Sequence, residues 1–348
     1  MVLYTIIAAS CISFMSAFCI IPFLRALAFK AGVLDIPNGA LKQHESPTPY
    51  LGGVAVFFGC ALSLFFFSPA NSFPPFFFIG LLFLLLLGLI DDLYAISPAK
   101  KFLGQSLACF CFIKAGLSFN KEIFIDFLPS FLHSQRIIGV LSTFFSSWWM
   151  LSVINAFNLV DVMDGLTTTI ALVASLSFIA IALVNAHYLL VLWLSCLCGA
   201  LLAFFWYNKP RASMYLGDAG SLFIGGCLAT VPFFLKWGSS SRGIVLIPLL
   251  VLMIPLVELC SLMIIRSYKG IPVYHGSPHH FICYLKARRW SVGKIIALVG
   301  FVGGCFGVSA FFIASDNVAL LPSAFLLVFL VIIWVFTIFY GYKKTSFF

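Results

Sequence analysis

Long apolar runs recur along the whole chain, and short polar stretches separate them. A bilayer core about 30 Å thick needs roughly 20 apolar residues per helix, and the runs match that length. They predict eleven membrane-spanning helices in an all-α, polytopic integral membrane protein, with ten as the alternative count. The predicted spans cover residues 2–24, 50–68, 74–90, 101–118, 137–157, 167–184, 187–206, 220–236, 243–266, 293–314 and 318–340.

Composition agrees with lipid as the main solvent of this chain. Hydrophobic residues make up 62% of it, charged residues only 9%, and the mean hydropathy is +1.12. These values exclude a soluble domain. Because no long polar segment or clear repeat interrupts the pattern, residues 1–348 are predicted to form a single membrane domain. The 11 cysteines include no Cys-x-x-Cys, which argues against a disulfide framework or a thiolate zinc site.

The basic residues predict the orientation of the chain. Of the 20 Lys and Arg, 15 fall in the C-terminal tail or in connections that follow odd-numbered spans. Since cytoplasmic connections carry the excess of Lys and Arg, we expect these connections inside and the N-terminus outside. The net charge of +9 therefore reflects topology and attraction to anionic membrane lipids, and it gives no reason to invoke nucleic acid.

Two acidic motifs lie at predicted span ends. Asp91 and Asp92 follow span 3, and adjacent carboxylates repel each other unless a cation or a shared proton compensates them. Asp218 lies between Gly217 and Gly220 at the start of span 8, where small residues let a ligand approach. Both motifs predict Mg²⁺ ligands, because Mg²⁺ needs only one or two protein carboxylates. Helix capping is the alternative for both.

Four polar residues repeat every third position at the end of span 5. Asn155, Asn158, Asp161 and Asp164 share one stripe if this segment is helical. Such a stripe predicts the lining of a polar ligand site, since a nucleotide and a sugar need amide and carboxylate partners. A run of helix and turn caps is the alternative. Asn208, after span 7, is a further predicted substrate-binding residue.

Two connections carry histidines beside basic residues. His279 and His280 precede a basic run after span 9, a combination that suits a diphosphate; adjacent histidines alone make a poor zinc site. In the first connection, Lys42 and His44 can donate hydrogen bonds to a lipid phosphate at the membrane surface. A structural loop is the alternative for the first connection, and the positive-inside bias for the basic run.

These five clusters follow spans 1, 3, 5, 7 and 9, so all lie on the same predicted side of the membrane. That placement predicts an enzyme whose active site lies on cytoplasmic loops. The rival hypothesis is a secondary transporter, which requires charges deep within spans and a duplicated half. Glu258 is the only strong candidate for such a charge, and the sequence shows no duplication.

The combined motifs resemble the polyprenyl-phosphate N-acetylhexosamine-1-phosphate transferases, glycosyltransferase family 4, over nearly the whole chain. The resemblance is carried, in the family's order, by Pro47-Thr48-Pro49 with Gly52-Gly53, Asp91-Asp92, Asn158-Leu159-Val160-Asp161, Gly217-Asp218-Ala219-Gly220-Ser221 and His279-His280.

The resemblance implies a reaction that depends on Mg²⁺ or Mn²⁺ in the bacterial inner membrane. Undecaprenyl phosphate would attack the β-phosphate of a UDP-N-acetylhexosamine, giving undecaprenyl-diphospho-sugar and UMP and initiating cell-envelope glycan synthesis. A homodimer is left open.

The resemblance also implies residue roles. Asp218 would bind the metal with Asp91 and Asp92, one of which deprotonates or positions the lipid phosphate. The remaining implied contacts are Asn158, Asp161 and Asp164 on the nucleotide side, His279 and His280 near the diphosphate, and Lys101 near the active site.

Some positions depart from the family pattern. Val162 stands where many members have Gly, Glu258 stands where they have Asp, and the histidine motif is short unless His275 completes it. The segment Leu34-Asp35-Ile36-Pro37-Asn38 favours the N-acetylglucosamine branch over the phospho-N-acetylmuramoyl-pentapeptide transferases of peptidoglycan synthesis, which remain the alternative.

Overall fold

The computed structural model describes residues 2–36, 47–121, 123–124, 129, 133–235, 241–274 and 279–315, with only the backbone at 241–244. Lys42, His44, His275 and the predicted span 318–340 lie outside these residues. Twelve helices are described: α1 Val2–Ala31, α2 Gly52–Phe67, α3 Pro75–Tyr94, α4 Pro98–Lys114, α5 Gln135–Val160, α6 Leu166–Val184, α7 Tyr188–Asn208, α8 Gly217–Phe234, α9 Ser241–Val251, α10 Met253–Tyr268, α11 Phe281–Ala287 and α12 Val292–Ala314.

The prediction of an all-α polytopic membrane protein is confirmed. Within the described residues, seven helices are long and apolar enough to cross a membrane. An eighth crossing results if α9 and α10 form one span, and these two helices meet at a bend of 82°. The predicted spans at 50–68 and 101–118 correspond to α2 and α4, of 16 and 17 residues. At 1.5 Å per residue, each reaches about 25 Å. The count of long apolar helices is lower than eleven because these two helices are shorter and the predicted span 318–340 lies outside the described residues.

Helices α7 and α8 form the centre of the bundle, since most of their residues are buried. Helix α7 packs on α1, and α8 packs on α3 and α5. Gly88 of α3 lies against the start of α8, where an added Cβ would come within 2.3 Å of the Asp218 carbonyl oxygen. This close approach brings the end of α3, with its aspartate pair, next to Asp218.

The first connection is joined to the same end of the bundle. Strands β1, Leu34–Asp35, and β2, Thr48–Pro49, pair antiparallel, with Leu34 opposite Pro49. The Tyr215 N–H donates to the Pro49 carbonyl oxygen at 2.8 Å, and the Gly53 N–H donates to the Leu216 carbonyl oxygen at 2.9 Å. These bonds fasten the first connection to the backbone that leads into Asp218.

Candidate functional site

Four helices contribute one polar side chain each to a cluster, which we call the lysine–carboxylate cluster: Asp91 of α3, Lys101 of α4, Asn158 of α5 and Asp218 of α8. The Lys101 ammonium lies 2.8 Å from Asp91 Oδ2, donates to Asn158 Oδ1 at 3.0 Å and contacts Asp218 Oδ2. Asn158 Nδ2 donates to Asp218 Oδ1 at 2.7 Å. Each group therefore has a partner of opposite charge or hydrogen-bonding capacity, which offsets the cost of removing it from water.

Exposure differs within the lysine–carboxylate cluster. The Asp218 side chain is 32% exposed, whereas those of Lys101 and Asp91 are 17% and 11% exposed. Asp218 is therefore the carboxylate that a ligand reaches most readily. Asp91 is also held by its own helix end, since its Oδ1 accepts a hydrogen bond from the Ile96 N–H at 2.8 Å.

Asp92 contacts the backbone of α8 instead of the lysine. Its two oxygens accept hydrogen bonds from the N–H groups of Asp218, at 2.8 Å, and Ala219, at 3.1 Å. A carboxylate at this position satisfies free amide donors and complements the helix dipole. Gly217 has a φ of +72°, and an added Cβ there would lie 2.6 Å from Asp92 Oδ2. Asp92 thus orients the first turn of α8, which carries Asp218.

The two aspartates after α5 lie nearby. The pKa of Asp161 is raised to about 7, mainly by burial and in part by the charges of Asp218 and Asp164. Asp164 Oδ2 accepts a hydrogen bond from the Ala212 N–H at 3.0 Å, which ties the α5–α6 connection to the segment before α8. The predicted stripe therefore divides, with Asn158 in the cluster and Asp161 and Asp164 beside it.

Asn155 and Asn208 make contacts within the scaffold. Asn155 and Gln105 exchange two amide hydrogen bonds, of 2.8 and 3.2 Å, between α5 and α4. Asn208 Oδ1 accepts from the Gly165 N–H at 2.9 Å, and its Nδ2 donates to the Met214 carbonyl oxygen at 3.0 Å. These bonds favour positioning roles for both, and their prediction as substrate contacts stays a prediction.

Gln105 is a site residue that the sequence motifs did not predict. Gln105 is 1% exposed and lies four residues after Lys101, on the same face of α4. The signal in the sequence that could have identified Gln105 is a polar residue four positions after a charged one.

The histidines lie in a second polar group on α10 and the segment before α11. His280 Nδ1 lies 3.1 Å from Glu258 Oε1, and His279 Nε2 lies 2.6 Å from the Lys269 ammonium. Burial lowers the pKa of His279, and the charges of Lys269 and Arg266 lower it further. Its imidazole is therefore neutral at pH 7 and can accept the lysine's hydrogen bond.

The family model described as "Glycosyl transferase family 4" matches residues 75–236. That segment begins with α3 and ends just after α8, so it contains the whole lysine–carboxylate cluster. Over these residues, just under half of its length, the chain is similar to glycosyl transferase family 4. The Glu258–His280 pair lies outside the segment that defines the glycosyl transferase family 4 match.

Full-length relatives agree with this assignment. A probable undecaprenyl-phosphate N-acetylglucosaminyl 1-phosphate transferase of Bacillus subtilis is 27% identical over 337 residues, 94% of this chain and 89% of the relative. A phospho-N-acetylmuramoyl-pentapeptide-transferase of Clostridium novyi is 27% identical, covering 87% of this chain and 93% of that protein. Its counterpart in Lactobacillus gasseri is 29% identical, covering 82% and 97%. These similarities, together with the apolar helices, support a multi-pass membrane transferase.

Proposed function

We propose that this protein transfers N-acetylglucosamine-1-phosphate from UDP-N-acetylglucosamine to undecaprenyl phosphate at the cytoplasmic face of the bacterial plasma membrane. An oxygen of the lipid phosphate forms a bond to the β-phosphorus of the UDP-sugar, and the bond from that phosphorus to the bridging oxygen breaks. The products are undecaprenyl-diphospho-N-acetylglucosamine and UMP. The Bacillus subtilis relative, whose name states this transfer, supports the choice of sugar.

The lysine–carboxylate cluster is the observation that carries this proposal. Phosphoryl transfer needs positioning and charge neutralisation more than covalent help from the protein. Lys101 presents a cation beside the accessible Asp218 carboxylate, where it can donate hydrogen bonds to phosphate oxygens. Asp91 lies within reach of the same lysine and is suited to position the lipid phosphate or accept a proton from it.

The oxygen-rich donor set also fits a divalent cation. Within the described residues, no group of three or more His, Cys, Asp or Glu could hold a metal ion. Mg²⁺, however, needs only one or two protein carboxylates and takes its other ligands from water and phosphate. Asp218, Asp91 and the Asn158 carbonyl oxygen already surround one cation, the Lys101 ammonium. These residues would hold Mg²⁺, or Mn²⁺, which would supply charge neutralisation at the diphosphate.

The experiment is transfer of labelled sugar phosphate to undecaprenyl phosphate by detergent-purified protein with Mg²⁺. UDP-N-acetylglucosamine and UDP-N-acetylmuramoyl-pentapeptide are offered in parallel. Lipid-linked product from the first substrate alone supports the proposal, and addition of EDTA should abolish it. Product from the second alone assigns the protein to phospho-N-acetylmuramoyl-pentapeptide transfer, the activity named for the Clostridium and Lactobacillus relatives. If neither substrate gives a product, both assignments are rejected.

Asp218→Asn tests the site within the same assay. It preserves shape but removes the negative charge, so we expect turnover to fall at least about 100-fold. Asp126→Asn is the matched control, since residue 126 follows the fourth predicted span, 101–118, and an even-numbered connection is predicted outside the cytoplasm. Equal activity of Asp218→Asn and wild type would exclude Asp218 from the reaction.

A further inference from the structure

Glu258 is a buried carboxylate with a defined hydrogen-bonding pattern. Its residue is 1% exposed, on α10. Its Oε1 lies 3.1 Å from His280 Nδ1 and accepts a hydrogen bond from the Phe281 N–H at 3.3 Å. A buried carboxylate costs free energy unless it is paired and hydrogen-bonded. Both partners of this oxygen come from the segment that begins α11, so the two elements are held together through one atom.

The contact determines which nitrogen of His280 remains for a ligand. Because a carboxylate accepts hydrogen bonds, the imidazole must carry its proton on Nδ1 to make this bond. His280 Nε2 makes no hydrogen bond to another residue in the part of the chain that the structure describes. A carboxylate that holds one ring nitrogen in this way fixes both the tautomer and the orientation of the ring.

The surroundings of this pair are cationic. His279 precedes His280 and contacts the Lys269 ammonium, and the Arg266 guanidinium lies near enough to His279 to lower its pKa. A polar group that contains the Lys269 ammonium and the Arg266 guanidinium attracts an anion such as the diphosphate of a nucleotide sugar. Helix α10 packs on α5, which carries Asn158 of the lysine–carboxylate cluster.

We propose that Glu258 is a positioning residue, which orients His280 so that Nε2 contacts the diphosphate-linked sugar substrate. This inference rests on the proposed function for the identity of that substrate. Glu258 would not touch the substrate itself, since it acts through the imidazole. A merely structural carboxylate would anchor α11 to α10 through Phe281 and would be indifferent to the side chain at position 280.

A double-mutant cycle separates these two roles. Glu258→Leu removes the acceptor while filling its volume, and we expect kcat/KM to fall by about 10- to 100-fold, by analogy with the loss of hydrogen-bonding partners that orient metal-binding histidines. Glu258→Gln should keep most of the activity, because its amide oxygen can accept both hydrogen bonds. In a His280→Ala background, Glu258→Leu should cause no further loss. Cys260→Ala, an exposed position on the same helix, is the control and should match wild type.

Equal losses from Glu258→Leu in the wild-type and His280→Ala backgrounds would overturn the inference, as would full activity of Glu258→Leu. If Glu258→Leu is not monodisperse in detergent, Glu258→Asp takes its place in the cycle, since it withdraws the carboxylate by one methylene while keeping the charge. The same coupling with His280 is then expected, and additivity would count against the proposal.

A second readout does not depend on turnover. In protein labelled with ¹⁵N-histidine, the His280 signals, assigned by their loss in His280→Ala, should show a protonated Nδ1 in wild type and lose that state in Glu258→Leu. An unchanged tautomer would reject the orienting role. Absence of product from wild-type protein with every UDP-sugar would instead reject the proposed function, while the ¹⁵N spectra would still decide whether Glu258 orients His280.

Discussion

At the scale of the residue, Lys101 determines how two carboxylates can lie close together. Asp91 and Asp218 would repel each other without a cation between them, and the Lys101 ammonium contacts both. Because these side chains are only partly exposed, water does not fully replace the contacts when one partner is removed. Charge balance at this point is therefore both a structural and a chemical requirement.

Lys101→Met should abolish turnover and lower stability. The loss of the ammonium leaves Asp91 and Asp218 facing each other, and we expect about 1 kcal/mol of destabilisation, moderated by the partial exposure of Asp218. Transfer assays and thermal unfolding in detergent measure the two effects. Lys100→Met, at the exposed neighbouring position, is the matched control. Equal behaviour of the two variants would show that the contacts of Lys101 are dispensable.

The raised pKa of Asp161 predicts a pH-dependent contribution to stability. The pKa of Asp161 is about 7 in the folded protein and about 4 in an unfolded chain. Between about pH 4 and pH 7, Asp161 is therefore protonated in the folded state and ionised in the unfolded state. This contribution is therefore fully present below about pH 4 and is lost as the pH rises through 7. Asp161→Asn imitates the neutral form, so its thermal stability relative to wild type should increase from about pH 5 to pH 8. A difference in melting temperature that does not change with pH would contradict the assignment.

At the scale of the element, a pair of amides connects α4 with α5. Gln105 and Asn155 bond reciprocally, and each lies close along its helix to a member of the lysine–carboxylate cluster. Lys101 precedes Gln105 by one helical turn, and Asn158 follows Asn155 by nearly one turn. The amide pair thus sets the register in which Lys101 meets Asn158.

Replacing one amide should cost more than replacing both. Gln105→Leu leaves Asn155 Oδ1 without its donor, although Asn155 Nδ2 keeps its hydrogen bond to the Leu151 carbonyl oxygen. We expect about 1–3 kcal/mol of destabilisation and reduced turnover, whereas Gln105→Leu with Asn155→Leu should recover most of the stability. Thermal unfolding of the single and double variants measures this coupling. Ser106→Ala is the control, since that hydroxyl donates to the Phe102 carbonyl oxygen of its own helix. Additive losses would mean that the pair does not act as a unit.

At the scale of the whole molecule, the described site residues lie at helix ends and in the connections between helices. The end of α3, the starts of α4 and α8 and the end of α5 meet in the lysine–carboxylate cluster. The connection between α3 and α4 is one of those that the distribution of Lys and Arg predicts in the cytoplasm. A water-soluble nucleotide sugar could then reach the cluster without crossing the membrane.

Reporter fusions test this orientation. Green fluorescent protein fused after Ser97, between α3 and α4, should fluoresce, because it folds in the cytoplasm. Alkaline phosphatase fused after Ala186, between α6 and α7, should be active, because it requires export. The reverse pattern would place the site outside and would contradict the use of a cytoplasmic nucleotide sugar.

Several features could be predicted from the sequence because they depend on local chemistry. Apolar length predicts spanning helices, and the chain confirms it at seven positions within the described residues. The motif order predicted a resemblance to the family, and the match to residues 75–236 confirms that resemblance. The proximity of Asp91, Asn158 and Asp218 agrees with their shared predicted side of the membrane, although no local pattern specified their contacts.

The sequence did not predict that Asp91 and Asp92 make different contacts. As neighbours in sequence, the two carboxylates are chemically equivalent, and both were predicted as metal ligands. Their side chains leave α3 in different directions, so Asp91 meets Lys101 while Asp92 accepts the N–H groups of Asp218 and Ala219. The same holds for Asn155 and Asn158, of which one bonds Gln105 and the other Asp218.

The sequence by itself determined that lipid is the main solvent of the chain, that the fold is all-α and that the motifs resemble a known family. It also determined which residue types are available for chemistry, since all of these follow from composition and short-range pattern. Tertiary structure alone decided which of those residues meet, that Gln105 supports the cluster, and that Glu258 holds His280. The reason is geometric, because hydrogen bonds and ion pairs require groups within about 3 Å. Only the packing of helices distant in sequence, at contacts such as Gly88 against α8, brings the groups that close.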